Sequence, residues 1–216
     1  MTFLDKIKKL FSSNQAFSSK QYWDSRYSLG GNSGAGSYGQ IAEFKAQVVN
    51  DFVAKNAIQS VIDFGCGDGN QLQYAQYPHY IGIDVSPKAI EICKAKYKED
   101  SSKSFEIHDE EMVKNLKGDL TLSMEVIFHL VEDDVYFKYL SNLFESSTKY
   151  VCVYSTDYDL EKPKDINEQA VSHVRHRKFT NDVMRIFPHF KLIETVETPF
   201  EGRQASKFFF FEKERA

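Results

Sequence analysis

The stretch that decides the fold is Val61-Ile-Asp-Phe-Gly-Cys-Gly-Asp-Gly-Asn-Gln-Leu72, an apolar strand that runs into a turn with glycine at alternate positions. Glycine lets a backbone approach a ligand closely, at φ values that other residues resist. The residues after the turn are predicted to open a helix whose first amides point at the ligand. The next predicted strand, 80–84, ends in Asp84, whose carboxylate can accept the ribose hydroxyls of a nucleoside. These features predict a nucleoside site at the carboxyl edge of a sheet.

The spacing of the glycines distinguishes a dinucleotide site from a site for a nucleoside without a pyrophosphate. Dinucleotide sites use Gly-x-Gly-x-x-Gly to seat a pyrophosphate on a helix N-terminus, whereas Gly65, Gly67 and Gly69 stand one residue closer. Asp63 precedes the first glycine by two positions, where it would repel a pyrophosphate and attract a positively charged ligand. The sequence therefore disfavours a nicotinamide dehydrogenase, although the glycines could also form only a tight turn.

The segment 61–69, together with Asp84, resembles the class I S-adenosylmethionine-dependent methyltransferases. Their first motif is two hydrophobic residues, Asp or Glu, a hydrophobic residue and Gly-x-Gly-x-Gly. The resemblance implies S-adenosylmethionine as the cofactor, S-adenosylhomocysteine as the product, and methyl transfer by in-line displacement. It also implies a Rossmann-like α/β fold: a seven-stranded, mostly parallel sheet with helices on both faces and an antiparallel last strand. The implied cofactor-binding residues are Trp23, Tyr38, Asp63, Gly65, Cys66, Gly67, Asp84, Val85, Asp109, Glu110, Met124 and Glu125.

Three of these groups rest on looser matches. An acid after the third strand binds the adenine amino group in the family, and Asp109 or its neighbour Glu110 stands at that place. The segment 123–126 resembles the family segment beside the methyl group. Trp23 and Tyr38 resemble parts of an N-terminal cap that some small members fold over the cofactor, and packing alone is the alternative role for both aromatic rings.

The pattern along the chain predicts the same architecture. From residue 59 onward short apolar runs alternate with helical segments, as in a parallel sheet covered on both faces. Strands are predicted at 60–64, 80–84, 105–108, 119–124, 149–154, 191–196 and 207–212, the last two as a hairpin, and helices at 40–56, 87–97, 133–146 and 180–186. Residues 1–40 are predicted to form a helical and glycine-loop cap over the cofactor, with 1–11 as a short amphipathic helix or a frayed end. Residues 41–216 are predicted to form the methyltransferase domain.

Composition narrows the class of protein. The chain has 216 residues, 42% of them hydrophobic, with no apolar run near the ~20 residues that cross a bilayer. A net charge of −4 and a pI of about 5.9 argue for a small-molecule acceptor and against nucleic acid. Three cysteines without a signal peptide indicate reduced thiols and a cytoplasmic protein. No His, Cys or carboxylate spacing indicates a metal site.

Catalytic and acceptor residues are sought near the ends of the later strands. His129 follows the fourth strand and is a candidate general base, with His173 as the second. Arg175 and Arg177 lie in the strongest basic cluster, and with Tyr154 they are predicted to bind an anionic acceptor. A backbone-bonded histidine and a solvated run of charge are the alternatives for these two segments.

The acceptor itself stays open. The Tyr-Trp start and the Ser-Gly-x-Gly-Ser-Tyr-Gly loop of this sequence resemble those of small methyltransferases in bacterial surface-glycan pathways. This resemblance favours O-methylation of a sugar or of a phosphate-bearing intermediate in polysaccharide biosynthesis. N-methylation of a small amine or amino acid is the second hypothesis. A non-catalytic S-adenosylmethionine-binding partner is the third. The Asn/Asp-Pro-Pro-Tyr segment of adenine-N6 DNA methylases is absent from the sequence, which argues against DNA base methylation.

Overall fold

The computed structural model describes residues 17–159, 173–202 and 205–214. The prediction for residues 1–11 therefore lies outside the described residues. The helices are α1 Ser19–Ser28, α2 Gly39–Lys55, α3 Pro87–Lys96, α4 Glu110–Asn115, α5 Asp133–Glu145 and α6 Phe179–Ile186. The strands are β1 Ser60–Phe64, β2 His79–Asp84, β3 Lys103–Ile107, β4 Gly118–Met124, β5 Ser147–Thr156, β6 Phe190–Glu197 and β7 Ser206–Lys213.

The strands form one seven-stranded sheet in the order β3-β2-β1-β4-β5-β7-β6. Pairings among β1 to β5 are parallel, whereas β7 runs antiparallel to both β5 and β6. The strand order reverses between β1 and β4, and in such sheets ligands bind outside the carboxyl ends of the strands at the reversal. The predicted Rossmann-like α/β fold, with its antiparallel last strands, is confirmed.

Two hydrophobic clusters cover the two faces of the sheet, because successive side chains of a strand point to opposite sides. Val61 of β1 packs with α2 and α3, through residues such as Phe52 and Ile90. Ile62, the next residue, packs with Leu140 of α5 and Val183 of α6. Helices on both faces thus leave the carboxyl edge of the sheet open for a ligand.

The helix predicted directly after the glycine turn does not form. Residues 65–78 make turns and one short 3₁₀ helix, Gln71–Tyr74, before β2 begins at His79. Pro78 removes a backbone donor and biases the residue before it away from helix. The glycine turn is therefore held by contacts to the rest of the protein rather than by a helix.

No helix in the described parts of the chain is long and apolar enough to cross a membrane.

Candidate active site

A cavity of about 550 Å³ lies at the carboxyl edge of the sheet, between the glycine turn, the ends of β2 and β4, and the N-terminal segment. This volume is within the range of small-molecule sites. The sequence-predicted residues that line the cavity are Trp23, Asp63, Gly65, Cys66, Gly67, Asp84, Val85, Glu110, Met124, Glu125 and His129. The sequence-predicted residues that do not line the cavity are Tyr38, Asp109, Tyr154, His173, Arg175 and Arg177.

The glycine turn is fixed by hydrogen bonds to β2. The amides of Gly65 and Cys66 donate to the Ile83 carbonyl at 2.7 and 3.1 Å, and the Gly67 amide donates to Asp84 Oδ2 at 3.0 Å. Gly67 has a φ of 59°, and a Cβ there would lie 2.3 Å from Ser33 Oγ. Both the backbone conformation and the close approach of the N-terminal segment therefore require glycine at this position.

Asp84 ends β2 with its carboxylate at the cavity wall. Its Oδ1 accepts the Ser86 amide at 2.9 Å, while Ser86 Oγ caps α3 by accepting from Ala89. Burial raises the pKa of Asp84 to about 6. The carboxylate thus joins the glycine turn to the start of α3, at the place where the sequence predicts a ribose contact.

Asp63 presents a carboxylate oxygen that lacks a protein partner. Its Oδ2 accepts from the Tyr80 hydroxyl at 2.8 Å, but among the described residues the buried Oδ1 has no hydrogen-bond partner. Burial raises the pKa of this carboxyl to about 6, and the hydrogen bond from Tyr80 opposes that rise. A buried acceptor without a partner on a cavity wall suits a ligand ammonium. The methionine part of S-adenosylmethionine carries one, so the residues present fit that cofactor.

The N-terminal segment lines part of the cavity and is hydrogen-bonded to the glycine turn. Tyr38 donates its hydroxyl to Asp68 Oδ2 at 2.7 Å, and the Ser33 amide donates to the same oxygen at 3.0 Å. The hydroxyls of Tyr27 and Ser33 lie 3.0 Å apart. Tyr38 therefore contacts the turn instead of the cavity, while residues 33–37 form part of the cavity wall.

His129 lies on a 3₁₀ turn, Ile127–His129, just after β4. Its Nδ1 is 2.9 Å from the His173 carbonyl oxygen. A carbonyl can only accept, so we assign the proton to Nδ1 and the lone pair to Nε2. Burial lowers the pKa of His129 to about 4. The cavity wall therefore carries a neutral imidazole in one defined tautomer.

His173 contacts His129 through both its backbone carbonyl and its ring. The two rings stack with their centroids 5.5 Å apart, and the Tyr22 ring also stacks on His173, at 4.6 Å. Trp23 meets the His129 ring edge-on at 4.9 Å. Of the two candidate bases, His129 is the one that lines the cavity, and His173 orients it.

The predicted arginine site does not face the cavity. Arg175 Nη1 donates to Asp133 Oδ1 at 2.7 Å and to the Val131 carbonyl at 3.0 Å. Arg177 is buried, donates to the Leu130 carbonyl at 2.6 Å, and lies over the Tyr136 ring. Both guanidinium groups are bound at the start of α5, where the Leu130 and Val131 carbonyls and the Asp133 carboxylate accept from their terminal nitrogens, and the buried Arg177 Nε has no partner among the described residues.

Two further sequence-predicted residues are also placed elsewhere. Tyr154 is fully buried inside β5, with its hydroxyl 2.6 Å from Thr198 Oγ1. Asp109 is exposed and caps α4 by accepting from the Met112 amide at 2.9 Å. The adjacent Glu110 lines the cavity instead, paired with Lys138 at 3.0 Å.

Lys45, which no motif in the sequence marked, reaches the Glu125 carboxylate from α2. Its side chain is fully buried, and its Nζ lies 2.7 Å from Glu125 Oε2. The buried face of α2 includes Ala42, Ala46 and Val49, so Lys45 stands at an apolar position of the helical repeat. A lone charge within an apolar stripe was the signal that could have revealed it.

No group of three or more His, Cys, Asp or Glu side chains is arranged to hold a metal ion in the described segments.

Comparison with known proteins supplies the family of this domain. Residues 61–148 match a family model described as a methyltransferase domain, which spans the glycine turn, β2, β3, β4 and α5. A search of curated proteins finds no match.

Solved structures share the fold at low sequence identity. One is the N-methyltransferase NodS from Bradyrhizobium japonicum with S-adenosylhomocysteine, at 15% identity over 91% of this chain and 99% of that chain, TM-score 0.67. Another is magnesium protoporphyrin IX methyltransferase from Synechocystis with S-adenosylmethionine, at 17% identity over 93% and 100%, TM-score 0.63.

A third structure, the 4+2 cyclase SpnF, matches at 12% identity over 92% of this chain and 94% of that chain, TM-score 0.63. The likeness to these structures therefore shows the fold, and the family model carries the assignment of chemistry. The chain therefore carries a methyltransferase domain at residues 61–148, on the class I fold that it shares with structures of S-adenosylmethionine-dependent methyltransferases.

Proposed function

We propose that His129 is the general base for a small acceptor bound beside Trp23 and Phe128. The observation that carries this proposal is the neutral His129 imidazole on the cavity wall, whose Nδ1–H is taken by the His173 carbonyl. When bound, S-adenosylmethionine supplies an electrophilic methyl group on a sulfonium. In that reaction the carbon–sulfur bond would break as the acceptor oxygen bonds to the methyl group, the sulfur would leave as a neutral thioether, and His129 Nε2 would accept the proton of the hydroxyl.

A sugar hydroxyl is the acceptor that we favour. A hydroxyl holds its proton at neutral pH, so its methylation gains from a base such as His129. Trp23 and Phe128, both cavity residues, flank the His129 ring at centroid distances of 4.9 and 4.6 Å and offer apolar surface to a sugar ring. A role in surface polysaccharide biosynthesis, and a cytoplasmic location, remain proposals drawn from the sequence resemblance and the reduced thiols.

A phosphate-bearing acceptor has less support than a neutral sugar. That hypothesis depended on Arg175 and Arg177, whose guanidinium groups are bound to Asp133 and to carbonyls. Binding a phosphate there would require these hydrogen bonds to break. A neutral acceptor needs no such rearrangement.

N-methylation of a small amine is the second candidate. Asp63, Asp84, Glu110 and Glu125 all line the cavity, and carboxylates attract a cationic amine. The structural neighbour NodS is named an N-methyltransferase. A screen that offers neutral sugars, sugar phosphates and small amines in parallel separates these acceptor classes.

The N-terminal segment from residue 17 to 40 is proposed to act as a cap that holds the cofactor. Its support is the pair of contacts from Ser33 and Tyr38 to Asp68 in the glycine turn. Residues 41–216 are proposed to form the domain that it covers.

The test is methyl transfer from labelled S-adenosylmethionine to that acceptor panel, with the variant His129→Gln. On the acceptor that turns over, we expect kcat to fall about 10²- to 10⁴-fold, with S-adenosylhomocysteine affinity within about twofold of wild type. The matched control is His189→Gln, at an exposed histidine far along the chain. Undiminished turnover in His129→Gln would reject the base assignment. Cofactor binding without turnover on any acceptor would favour the non-catalytic partner.

A further inference from the structure

Lys45 is a buried lysine that the proposed reaction does not use. Its ammonium pairs with Glu125 Oε2 at 2.7 Å and lies 5.2 Å from the centre of the Tyr154 ring. Taking both charges of an ion pair out of water is expensive, and well-packed apolar side chains often serve stability as well or better. A role of the Glu125 carboxylate in the cavity therefore explains the ion pair better than a contribution to the stability of α2.

Glu125 follows β4 directly and takes an unusual backbone conformation. Its φ is 61°, in the left-handed region, and its amide donates to the Tyr154 carbonyl at 2.8 Å. A non-glycine residue in this region persists where the surroundings over-determine it, often at functional sites. The carboxylate lines the cavity.

Two close contacts show where the Glu125 carboxylate lies. A Cβ on Gly36 would come within 2.0 Å of Glu125 Oε2, so the cap closes directly on this carboxylate. A Cβ on Gly65 would come within 2.5 Å of Val126 Cγ2, so the segment after β4 borders the glycine turn. Glu125 thus stands beside the turn that separates Asp63 from Asp84.

Asp63, Asp84 and Glu125 line the same cavity, so a cofactor that spans the first two carboxylates occupies the space that Glu125 borders. With the ammonium at Asp63 and the ribose at Asp84, the sulfur lies between those two groups in the covalent structure of S-adenosylmethionine. The sulfur is positive in S-adenosylmethionine and neutral in S-adenosylhomocysteine. A fixed carboxylate at this point interacts favourably with the first state and much less with the second.

We propose that Glu125 distinguishes the charged cofactor from its neutral product, and that Lys45 is the positioning residue that holds the Glu125 carboxylate toward the sulfur. The inference rests on the proposed placement of the cofactor between Asp63 and Asp84. Methyl transfer removes the positive charge from the sulfur, so the carboxylate that favours cofactor binding adds little to the binding of the product. The cavity then favours exchange of product for fresh cofactor.

The experiment is calorimetric titration of the full chain with S-adenosylmethionine and, separately, S-adenosylhomocysteine. We expect wild type to bind S-adenosylmethionine about tenfold more tightly, a preference that Glu125→Gln reduces to within about twofold by weakening S-adenosylmethionine alone. Glu125→Asp keeps the charge and is expected to keep part of the preference. Lys45→Met is expected to lose most of it, because the carboxylate loses the contact that orients it.

The matched control is Glu43→Gln, which removes an exposed carboxylate from the same helix as Lys45 and is expected to leave the ratio of dissociation constants unchanged. Equal binding of the two ligands by wild type, or a preference that survives in folded Glu125→Gln, would overturn the inference alone. Failure of both ligands to bind wild type would instead reject the cofactor site.

Discussion

Replacing Asp63 by asparagine should weaken the cofactor site and stabilise the free protein. The substitution keeps the shape of the side chain and an oxygen that can accept the Tyr80 hydroxyl, now 2.8 Å from Oδ2. It removes the negative charge whose other oxygen has no partner in the described part of the chain. Ligand affinity and protein stability are therefore expected to change in opposite directions. This is typical of binding sites whose charged groups lower the stability of the free protein.

The size of the affinity loss follows from the charge. An ammonium about 4 Å from a carboxylate gains roughly 4 kcal/mol at an effective dielectric constant near 20. Desolvation of both charges offsets about half of that gain, which leaves about 2 kcal/mol. Asp63→Asn should therefore raise the dissociation constant of S-adenosylhomocysteine about 30-fold.

The stability gain follows from the pKa. Burial raises the pKa of Asp63 from 3.8 to about 6, so the ionised form is disfavoured in the folded protein at pH 7. A rise of this size corresponds to roughly 3 kcal/mol of stability that the charge removes. Asparagine carries no such charge, and the melting temperature of the free protein should rise by several degrees.

Titration calorimetry with S-adenosylhomocysteine and a thermal melt without ligand measure the two effects. The control is Asp51→Asn, at an exposed carboxylate of α2 that accepts from Gln47 and should change neither quantity much. An Asp63→Asn protein that binds within threefold of wild type would refute the ammonium assignment. A lower melting temperature would refute the account of the buried charge.

Two further predictions concern protonation and the cap. The folded pKa of Asp63, about 6, lies above its unfolded value, so the folded state binds protons that the unfolded chain has released. The contribution of Asp63 to the free energy of unfolding is therefore most favourable below about pH 4 and is lost as the pH rises through 6. The affinity for S-adenosylhomocysteine should change the other way and fall below pH 6, because the carboxylate is then protonated. Calorimetric titration across this pH range measures that affinity. Gly36→Ala places a Cβ 2.0 Å from Glu125 Oε2, displaces the cap, and should weaken S-adenosylhomocysteine about tenfold. The control Gly30→Ala adds a Cβ in open space of the same segment, at a φ of 80° that Gly36 does not share, and is expected to change the affinity less in spite of that strain; an equal or smaller loss in Gly36→Ala would contradict the contact argument.

The strands could be predicted because their apolar runs are short and bounded by turn residues. The run 61–64 falls within β1 and the run 149–154 within β5, which extends by a few residues at each end. The missing helix after the glycine turn shows the limit of that approach. The motif indicated a helix, but the residues before Pro78 had no apolar stripe to bury one.

The charged residues were harder to predict, because sequence gives the type of a side chain and not its partner. Arg175 and Arg177 formed a basic cluster that suggested an anion site, yet Asp133 and the carbonyls before α5 take their donors. These partners lie more than forty positions away in the sequence. A basic cluster indicates a ligand only after such distant acceptors have been excluded.

The glycine motif has a second role that the sequence could not separate from ligand binding. The motif predicted a backbone that a cofactor can approach, yet a Cβ on Gly67 would first meet Ser33 and Tyr27 of the cap. At Gly36 the situation is reversed, because the cap lacks a side chain where Glu125 needs the space. The turn thus supplies a glycine where the cap presents side chains, and the cap supplies a glycine where the segment after β4 presents Glu125. The glycines therefore allow close packing between protein segments and also close approach of the cofactor. A substitution at Gly36 or Gly67 affects both the packing and the cofactor site.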